Sequence, residues 1–207
     1  GIVRISVLRF FPDISHNGAM YKARTTYLEI CDNYQKQTYR NRTEIYGANG
    51  KLGLTVPVVY SQKNRQGYKD VRIYNSEPWQ QQHLKSLMAA YSNSPFYEYY
   101  IDELMPLFTK PFDFILDLNL RCLEILQESL QLHFSIDYTE VFEKKVDGLL
   151  DYRNYVNPKG ETLKFQPYTQ IFSNKFGFLS NLSILDLVFN EGPAAELYLN
   201  QQKLIDD

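Results

Sequence analysis

The sequence has little of what marks a metal-binding, nucleic-acid-binding or membrane protein. Its three histidines and two cysteines, Cys31 and Cys122, show no ligand spacing, which argues against a zinc site. A net charge of -2 argues against general nucleic-acid binding, which favours a strongly basic face. No apolar run reaches the ~18 residues that a membrane-spanning helix requires. We therefore expect no metal, other cofactor, nucleic acid or membrane among its partners.

Signature motifs of common enzyme classes are missing as well. The chain has no glycine-rich phosphate loop, no Gly-x-Ser-x-Gly elbow and no paired-cysteine motif. Two distant cysteines without a secretory leader predict reduced thiols and a cytoplasmic protein. The residues alone therefore indicate no particular reaction.

Aromatic residues are abundant instead. The chain of 207 residues contains 17 Tyr and 13 Phe, and no Pro-, Gly- or Ser-rich linker divides it. Because aromatic side chains bury large areas, we expect them to supply much of the core. We predict a single domain over residues 1–207, and the sequence leaves its oligomeric state open.

The order of predicted elements in the first half favours a parallel sheet. Residues 2–8 predict a buried strand, residues 19–27 a helix and residues 27–31 a second strand, which is the unit of a parallel sheet. Asn49-Gly50 between two apolar runs is typical of a β-hairpin with a tight turn. We predict an α/β fold with a mostly parallel sheet, flanking helices and an antiparallel hairpin. An α+β arrangement is the main alternative.

Helical periodicity begins after Ser76, which we expect to cap the helix. Trp79, His83, Leu87 and Tyr91 recur every four residues and share one helical face. The remaining predicted elements are helices over residues 96–108, 112–130 and 183–190, a strand near 133–136 and a loop over 144–161.

Residues 34–42 carry three cations among aromatic and amide side chains, without an apolar aliphatic residue. If they form a strand, Lys36, Arg40 and Arg42 lie on one side within about 20 Å. Asn41 then lies on the other side. Guanidinium forks and an ammonium at this spacing suit phosphate or carboxylate oxygens. The alternative is an exposed strand whose cations pair with nearby acids, and such pairs contribute little stability.

Two histidines are candidate functional residues. His83 could act as a general base, although a histidine on an apolar helix face is more often a satisfied core residue. His16, followed by Asn17-Gly18, lies in the turn after the first strand, where open parallel sheets bind ligands.

Two polar residues near the end of the chain are further candidates. Gln170 could hydrogen-bond a ligand amide or hydroxyl, and a role in a turn or strand is equally consistent with its context. Asp186 is a candidate catalytic residue, because it follows the polar pair Ser180-Asn181. The pattern Ser183-x-x-Asp186 is also typical of a helix capping box. We favour the capping role for Asp186.

Three blocks of the sequence resemble the WbqC-like protein family. The blocks are residues 34–42 with 54–58, residues 79–83 with 90–97, and residues 168–170 with 181–190. The resemblance extends over nearly the whole chain, and the last block is the most specific. The family's opening, a Gln-Pro and aromatic turn leading to Gly-Tyr-Phe, is degenerate here at residues 9–12 and 18–21.

Members of this family are named after genes in surface-polysaccharide clusters, and the resemblance implies a transferase that acts on an activated sugar or amino sugar. Aromatic faces such as that of Trp79 can stack on a sugar or base. From this resemblance we assign substrate binding to Lys36, Arg40, Asn41, Arg42, Trp79 and Tyr91, with His83 as the catalytic base. Gln170 is added to the substrate-binding residues because of its own polar context.

Three hypotheses for function follow. The first is a cytoplasmic transferase-type enzyme of surface-polysaccharide or modified-sugar synthesis, in which Arg40 and Arg42 hold a phosphorylated or carboxylated small molecule. The second is a non-catalytic binding or scaffold protein of a biosynthetic complex, because no recognised catalytic motif is present. The third is a nucleotidyltransferase-like fold that binds ATP near His16.

Overall fold

The computed structural model describes residues 3–31, 40–59, 66–139, 150–151 and 165–201, and for residues 150 and 151 it describes the backbone alone. The strands in chain order are β1 (Val3–Val7), β2 (Thr25–Glu29), β3 (Arg42–Gly47), β4 (Gly50–Thr55), β5 (Val58–Val59), β6 (Arg72–Ile73), β7 (Ile136–Tyr138) and β8 (Leu150–Asp151). The helices are α1 (Ile14–Lys22), α2 (Trp79–Tyr91), α3 (Tyr97–Leu104), α4 (Pro106–Thr109), α5 (Ile115–Glu128), α6 (Ser173–Phe176), α7 (Ile184–Glu191) and α8 (Ala195–Gln201). Two short 3₁₀ helices cover Tyr68–Asp70 and Gly192–Ala194.

A parallel sheet with the strand order β7-β2-β1-β8 confirms the predicted α/β class. The chain places β2 and β7 on one side of β1 and β8 on the other, so the strand order reverses at β1. In open sheets, ligands bind outside the carboxyl ends of the strands at such a reversal.

The helix between β1 and β2 begins earlier than the sequence predicted. Asp13 caps α1, because its Oδ1 accepts a hydrogen bond from the His16 N–H at 2.8 Å. The β-branched pair Thr25 and Thr26 then begins β2. The predicted helix over residues 19–27 was therefore wrong in its bounds, although the strand–helix–strand order is confirmed.

The predicted hairpin is confirmed as the antiparallel pair β3–β4. Gly47 pairs with Gly50, so Ala48 and Asn49 form the turn. Gly50 has φ of 101°, a conformation that glycine adopts at little cost. A second short antiparallel pair joins β5 to β6.

The predicted apolar face of α2 is confirmed, since Trp79, His83, Leu87 and Tyr91 are all buried. The predicted cap is wrong: Pro78 holds the N-cap position of α2, and Ser76 lies outside the helix. The predicted helix over residues 96–108 is divided into α3 and α4. Pro106 begins α4, where its missing N–H costs no hydrogen bond.

The core is largely aliphatic and aromatic, and it includes much of α5 and all of α7 except Glu191. Cys122 is buried in α5, and Cys31 is half-buried. None of the helices in the described parts of the chain is long and apolar enough to cross a membrane.

Candidate functional site

A polar cavity of ≈ 230 Å³ lies beyond the carboxyl end of β1, where the chain turns into α1. Three segments line it: the loop after β1, the β3–β4 hairpin and the residues that lead into α7. The lining residues are Phe11, Pro12, Asp13, Arg42, Thr43, Glu44, Lys51, Ser180, Asn181 and Ser183. We call this the hairpin cavity.

Hydrogen bonds tie the three walls of the hairpin cavity together. The Thr43 hydroxyl donates to the Phe11 carbonyl at 2.7 Å. The Ser183 N–H donates to the Glu44 carbonyl at 2.7 Å, and the Ile184 N–H donates to the Pro12 carbonyl at 3.0 Å. Because each wall is bonded to the other two, the geometry of the cavity depends on tertiary contacts and not on one loop alone.

Two helices begin at the hairpin cavity, yet their first amides are already bonded. In α1, the Ser15 N–H donates to Asn181 Oδ1 at 2.9 Å and the His16 N–H donates to Asp13 Oδ1. In α7, the Leu185 N–H donates to Ser183 Oγ at 3.2 Å. A ligand would therefore have to bind side chains, and the helix ends would contribute only their dipoles.

Backbone strain accompanies this site. Phe11 has φ of 38° and Asn181 has φ of 56°, and both line the hairpin cavity. Left-handed backbone at residues other than glycine is costly and persists where the surroundings enforce it. The Phe11 carbonyl accepts hydrogen bonds from the hydroxyls of Thr43 and Ser183, which hold this residue in place.

The charged side chains of the hairpin share one face. Arg42 and Glu44 are two residues apart on β3 and therefore lie on the same face, and the pairing of Tyr46 with Lys51 places Lys51 on that face as well. Arg42 and Lys51 are exposed, and Glu44 is half-buried. Within the described ranges, none of these three charges forms an ion pair. They remain available to a ligand.

Asp13 is the second acid of the hairpin cavity. Burial raises the pKa of its carboxyl, an effect partly offset by the His16 N–H, the Arg9 guanidinium, Ser15 and Asn181. The same hydrogen bonds occupy its oxygens, so Asp13 acts as the cap of α1.

Only part of the predicted cationic strand reaches the hairpin cavity. Lys36 lies outside the described residues. Arg40 and Asn41 form a turn and a bend before β3, so the strand prediction is wrong at these two positions. Arg40 is buried with its guanidinium carbon 5.0 Å from the ring centre of Tyr68, and Asn41 Nδ2 donates to the Val56 carbonyl at 3.1 Å. Of the three described residues, Arg42 lines the cavity, and Arg40 and Asn41 do not.

Trp79 and His83 lie together beneath the hairpin. His83 Nε2 is 2.9 Å from the carbonyl oxygen of Thr55, the residue that pairs with Arg42. Burial lowers the pKa of His83, and the Thr55 hydrogen bond offsets this in part. Trp79 donates its indole N–H to Asn75 Oδ1 at 3.0 Å and meets His83 edge-on. Neither ring belongs to the cavity lining.

Tyr91 and Gln170 meet at Asp186, which is fully buried. The Tyr91 hydroxyl donates to Asp186 Oδ1 at 2.8 Å, Gln170 Nε2 donates to Oδ2 at 2.9 Å, and the Tyr168 hydroxyl also donates to Oδ2. Burial raises the pKa of Asp186, and these three donors offset part of the rise. We call this group the Asp186 network.

The Asp186 network corrects the predicted capping role of Asp186. The N–H of Ser183, which a capping box would direct to Asp186, donates instead to the Glu44 carbonyl. The Tyr91 hydroxyl also accepts from the Tyr46 N–H at 3.2 Å, so the network connects α7, α2 and β3. The network thus fixes β3 and α7, which belong to two walls of the hairpin cavity, relative to each other.

His16 lies inside α1 and not in the predicted turn. It is buried, and its Nε2 is 3.3 Å from the Ser6 hydroxyl. Burial and the Arg9 charge lower its pKa well below the usual value. Within the described residues, no three His, Cys, Asp or Glu side chains form a cluster that could hold a metal ion.

The sequence reasoning did not single out Glu44 and Lys51. The sequence did contain a pattern that points to them. Glu44 follows Arg42 at the strand period of two, and Lys51 comes directly after the hairpin turn. Asp13 and Ser183 also went unnoticed as cavity residues, since only the tertiary fold brings them to the hairpin.

The fold and site thus define an α/β protein with a small cavity of mixed charge beyond a parallel sheet. The chain belongs to the WbqC-like protein family, whose family model matches residues 9–157. The match includes Arg42, Lys51 and His83, whereas the block over residues 168–190 lies beyond it. No curated protein and no solved structure matches the chain.

Proposed function

We propose that this protein is a cytoplasmic transferase-type enzyme of surface-polysaccharide or modified-sugar synthesis, and that its hairpin cavity binds the phosphate of the donor. The observation that carries the proposal is that Arg42 and Lys51 line a polar cavity without an ion pair within the described ranges. An Arg fork binds phosphate oxygens through parallel hydrogen bonds, and Lys adds a point charge. The reaction class rests on the family.

The other predicted site residues have positioning roles in this proposal. His83 forms a hydrogen bond with the Thr55 carbonyl. This bond fixes the position of β4, the strand that pairs with β3 at Arg42. Tyr91 and Gln170 hold Asp186, and through it the start of α7. The family resemblance implied that His83 is the catalytic base, but its ring is not part of the cavity lining. A base at the hairpin cavity would come from its acids.

Calorimetric titration with inorganic phosphate, glucose 1-phosphate and UDP-glucose tests the anion site. We expect Arg42→Ala and Lys51→Ala each to weaken binding at least ~10-fold, about 1.4 kcal/mol. Arg24→Ala and Lys85→Ala remove the same charges from exposed positions outside the cavity lining and should leave the affinity unchanged. Equal losses in the control variants, or no loss at Arg42, would contradict the proposal.

A non-catalytic binding protein of the same biosynthetic complex is the second candidate. The placement of His83 outside the cavity lining favours it, because the residue assigned as base cannot meet a ligand there. This candidate predicts ligand binding without turnover of any phosphorylated donor, together with a stable partner from the same pathway. Release of product from a bound donor would reject it.

A further inference from the structure

The hairpin cavity contains acids as well as cations, and the proposal for its phosphate site uses only the cations. We infer that the cavity binds a small zwitterion, a molecule with one ammonium group and one phosphate or carboxylate group. This inference rests on the proposed function, since it concerns the same cavity. It adds that Glu44 binds the ammonium while Arg42 and Lys51 bind the anion.

The position of Glu44 carries the argument. Its side chain shares a strand face with Arg42 and Lys51, and its carboxylate pairs with neither of them. Its backbone carbonyl is fixed by the Ser183 N–H, so the residue is anchored at the cavity wall. A purely anionic ligand would place a like charge beside a half-buried carboxylate, which is unfavourable. An ammonium group on the ligand would remove this repulsion.

Asp13 adds a second acidic side chain to the cavity, but we assign the binding of the ammonium group to Glu44. Its carboxylate accepts from the His16 N–H and the Ser15 hydroxyl, both within 2.9 Å, and from Asn181 at 3.4 Å. Oδ1 already accepts two of these hydrogen bonds, and Oδ2 accepts the third, longer one. Asp13 therefore adds negative potential, and Glu44 retains a carboxylate free to accept hydrogen bonds from an ammonium group.

The size of the cavity limits the ligand. Its ≈ 230 Å³ falls below the roughly 300–1,000 Å³ of pockets that enclose drug-sized ligands. The volume suits one small polar molecule. Two sources supply the required chemistry, an amino-sugar phosphate and a free amino acid, and the experiment must distinguish them.

The test is a calorimetric titration near pH 7 with matched ligand series. The sugar series is glucosamine 6-phosphate, its N-acetyl form and glucose 6-phosphate, and the amino-acid series is serine and N-acetylserine. We expect the amine-bearing member of one series to bind at least ~10-fold tighter than its analogues. The series that shows this preference identifies the source of the ligand.

Glu44→Gln should abolish the preference for the amine and leave the amine and its N-acetyl analogue within about twofold of each other. Glu44→Asp keeps the charge on a shorter side chain and should retain part of the preference. Glu98→Gln removes an exposed acid outside the cavity lining and should leave the preference intact. The wild-type ligand series gives an answer even if Glu44→Gln fails to fold.

The outcomes separate this inference from the proposed function. Equal binding of the three sugar phosphates, still dependent on Arg42, would overturn the zwitterion and leave the phosphate site standing. A preference for the amine that survives Glu44→Gln would overturn the role of Glu44. If wild-type protein bound no phosphate, phosphate ester, nucleotide sugar or amino acid, both the inference and the proposed function would fail.

Discussion

The side chain of Arg42 lies over Gly53 on the neighbouring strand. A Cβ atom at position 53 would come 3.1 Å from both Nε and Nη2 of Arg42. Gly53 pairs with Glu44, and its missing side chain leaves room for the guanidinium to extend across the neighbouring strand. A glycine on one strand thus determines where a cation on the other strand points.

We expect Gly53→Ala to weaken phosphate binding several-fold while the free energy of unfolding changes by less than ~1 kcal/mol. The new methyl group displaces the flexible end of Arg42, and alanine has less conformational freedom than glycine in the unfolded chain. Calorimetric titration with inorganic phosphate and urea unfolding measure the two effects. Gly47→Ala is the matched control, because a Cβ there meets its neighbours at ordinary distances of 3.6 Å or more. An unchanged affinity in Gly53→Ala would show that the orientation of Arg42 is unimportant.

We expect Tyr91→Phe to lower the free energy of unfolding by about 1–3 kcal/mol. The substitution removes one donor to the buried Asp186 carboxylate and leaves the Tyr46 N–H without its acceptor. Urea unfolding measures the loss. Tyr99→Phe serves as the control, since the Tyr99 side chain is exposed and the change should stay within ~0.5 kcal/mol. Similar stabilities for both variants would rule out an energetic role for the Asp186 network.

The lowered pKa of His83 predicts a stability that depends on pH. In the unfolded chain the imidazole binds a proton near its usual pKa of 6.5, whereas the folded protein holds it neutral to lower pH. At His83 the unfolded state therefore binds more protons below pH 6.5, as it also does at the buried His16. Both histidines make the free energy of unfolding fall as the pH decreases from this value.

His83→Gln should reduce this slope, because an amide can donate to the Thr55 carbonyl without titrating. Urea unfolding at several pH values between about 5 and 7 gives the slopes of the variant and wild type. Gln82→Ala changes an exposed, non-titrating residue of the same helix and should retain the wild-type slope. Identical slopes for wild type and His83→Gln would contradict the assignment of the pH dependence to His83.

The sequence predicted those parts of the fold that local patterns determine. The four-residue repeat from Trp79 to Tyr91 is a clear helical period, and its apolar face is buried as expected. The same pattern could not give the role of His83, because its hydrogen bond goes to Thr55 of a distant strand. Burial follows from periodicity, whereas a hydrogen-bond partner depends on which element packs against that face.

The hairpin shows a similar division. Asn49-Gly50 indicated that two strands would pair, but the turn uses Ala48 and Asn49. A shift of one residue in register moves every side chain to the opposite face. The sequence could therefore predict the hairpin, and the strand period places Glu44 on the face of Arg42, but the face that Lys51 shares depends on the pairing register.

The hydroxyl of Ser183 bonds to the carbonyl of Phe11 across a sequence separation of 172 residues. Contacts of this range form slowly, because a long segment of chain must be ordered before they can contribute. During synthesis, the three walls of the hairpin cavity cannot come together until the residues that lead into α7 have emerged from the ribosome. Ligand binding at this site would therefore report the completion of folding, and a nascent chain ending near residue 157, where the family match ends, would lack binding activity.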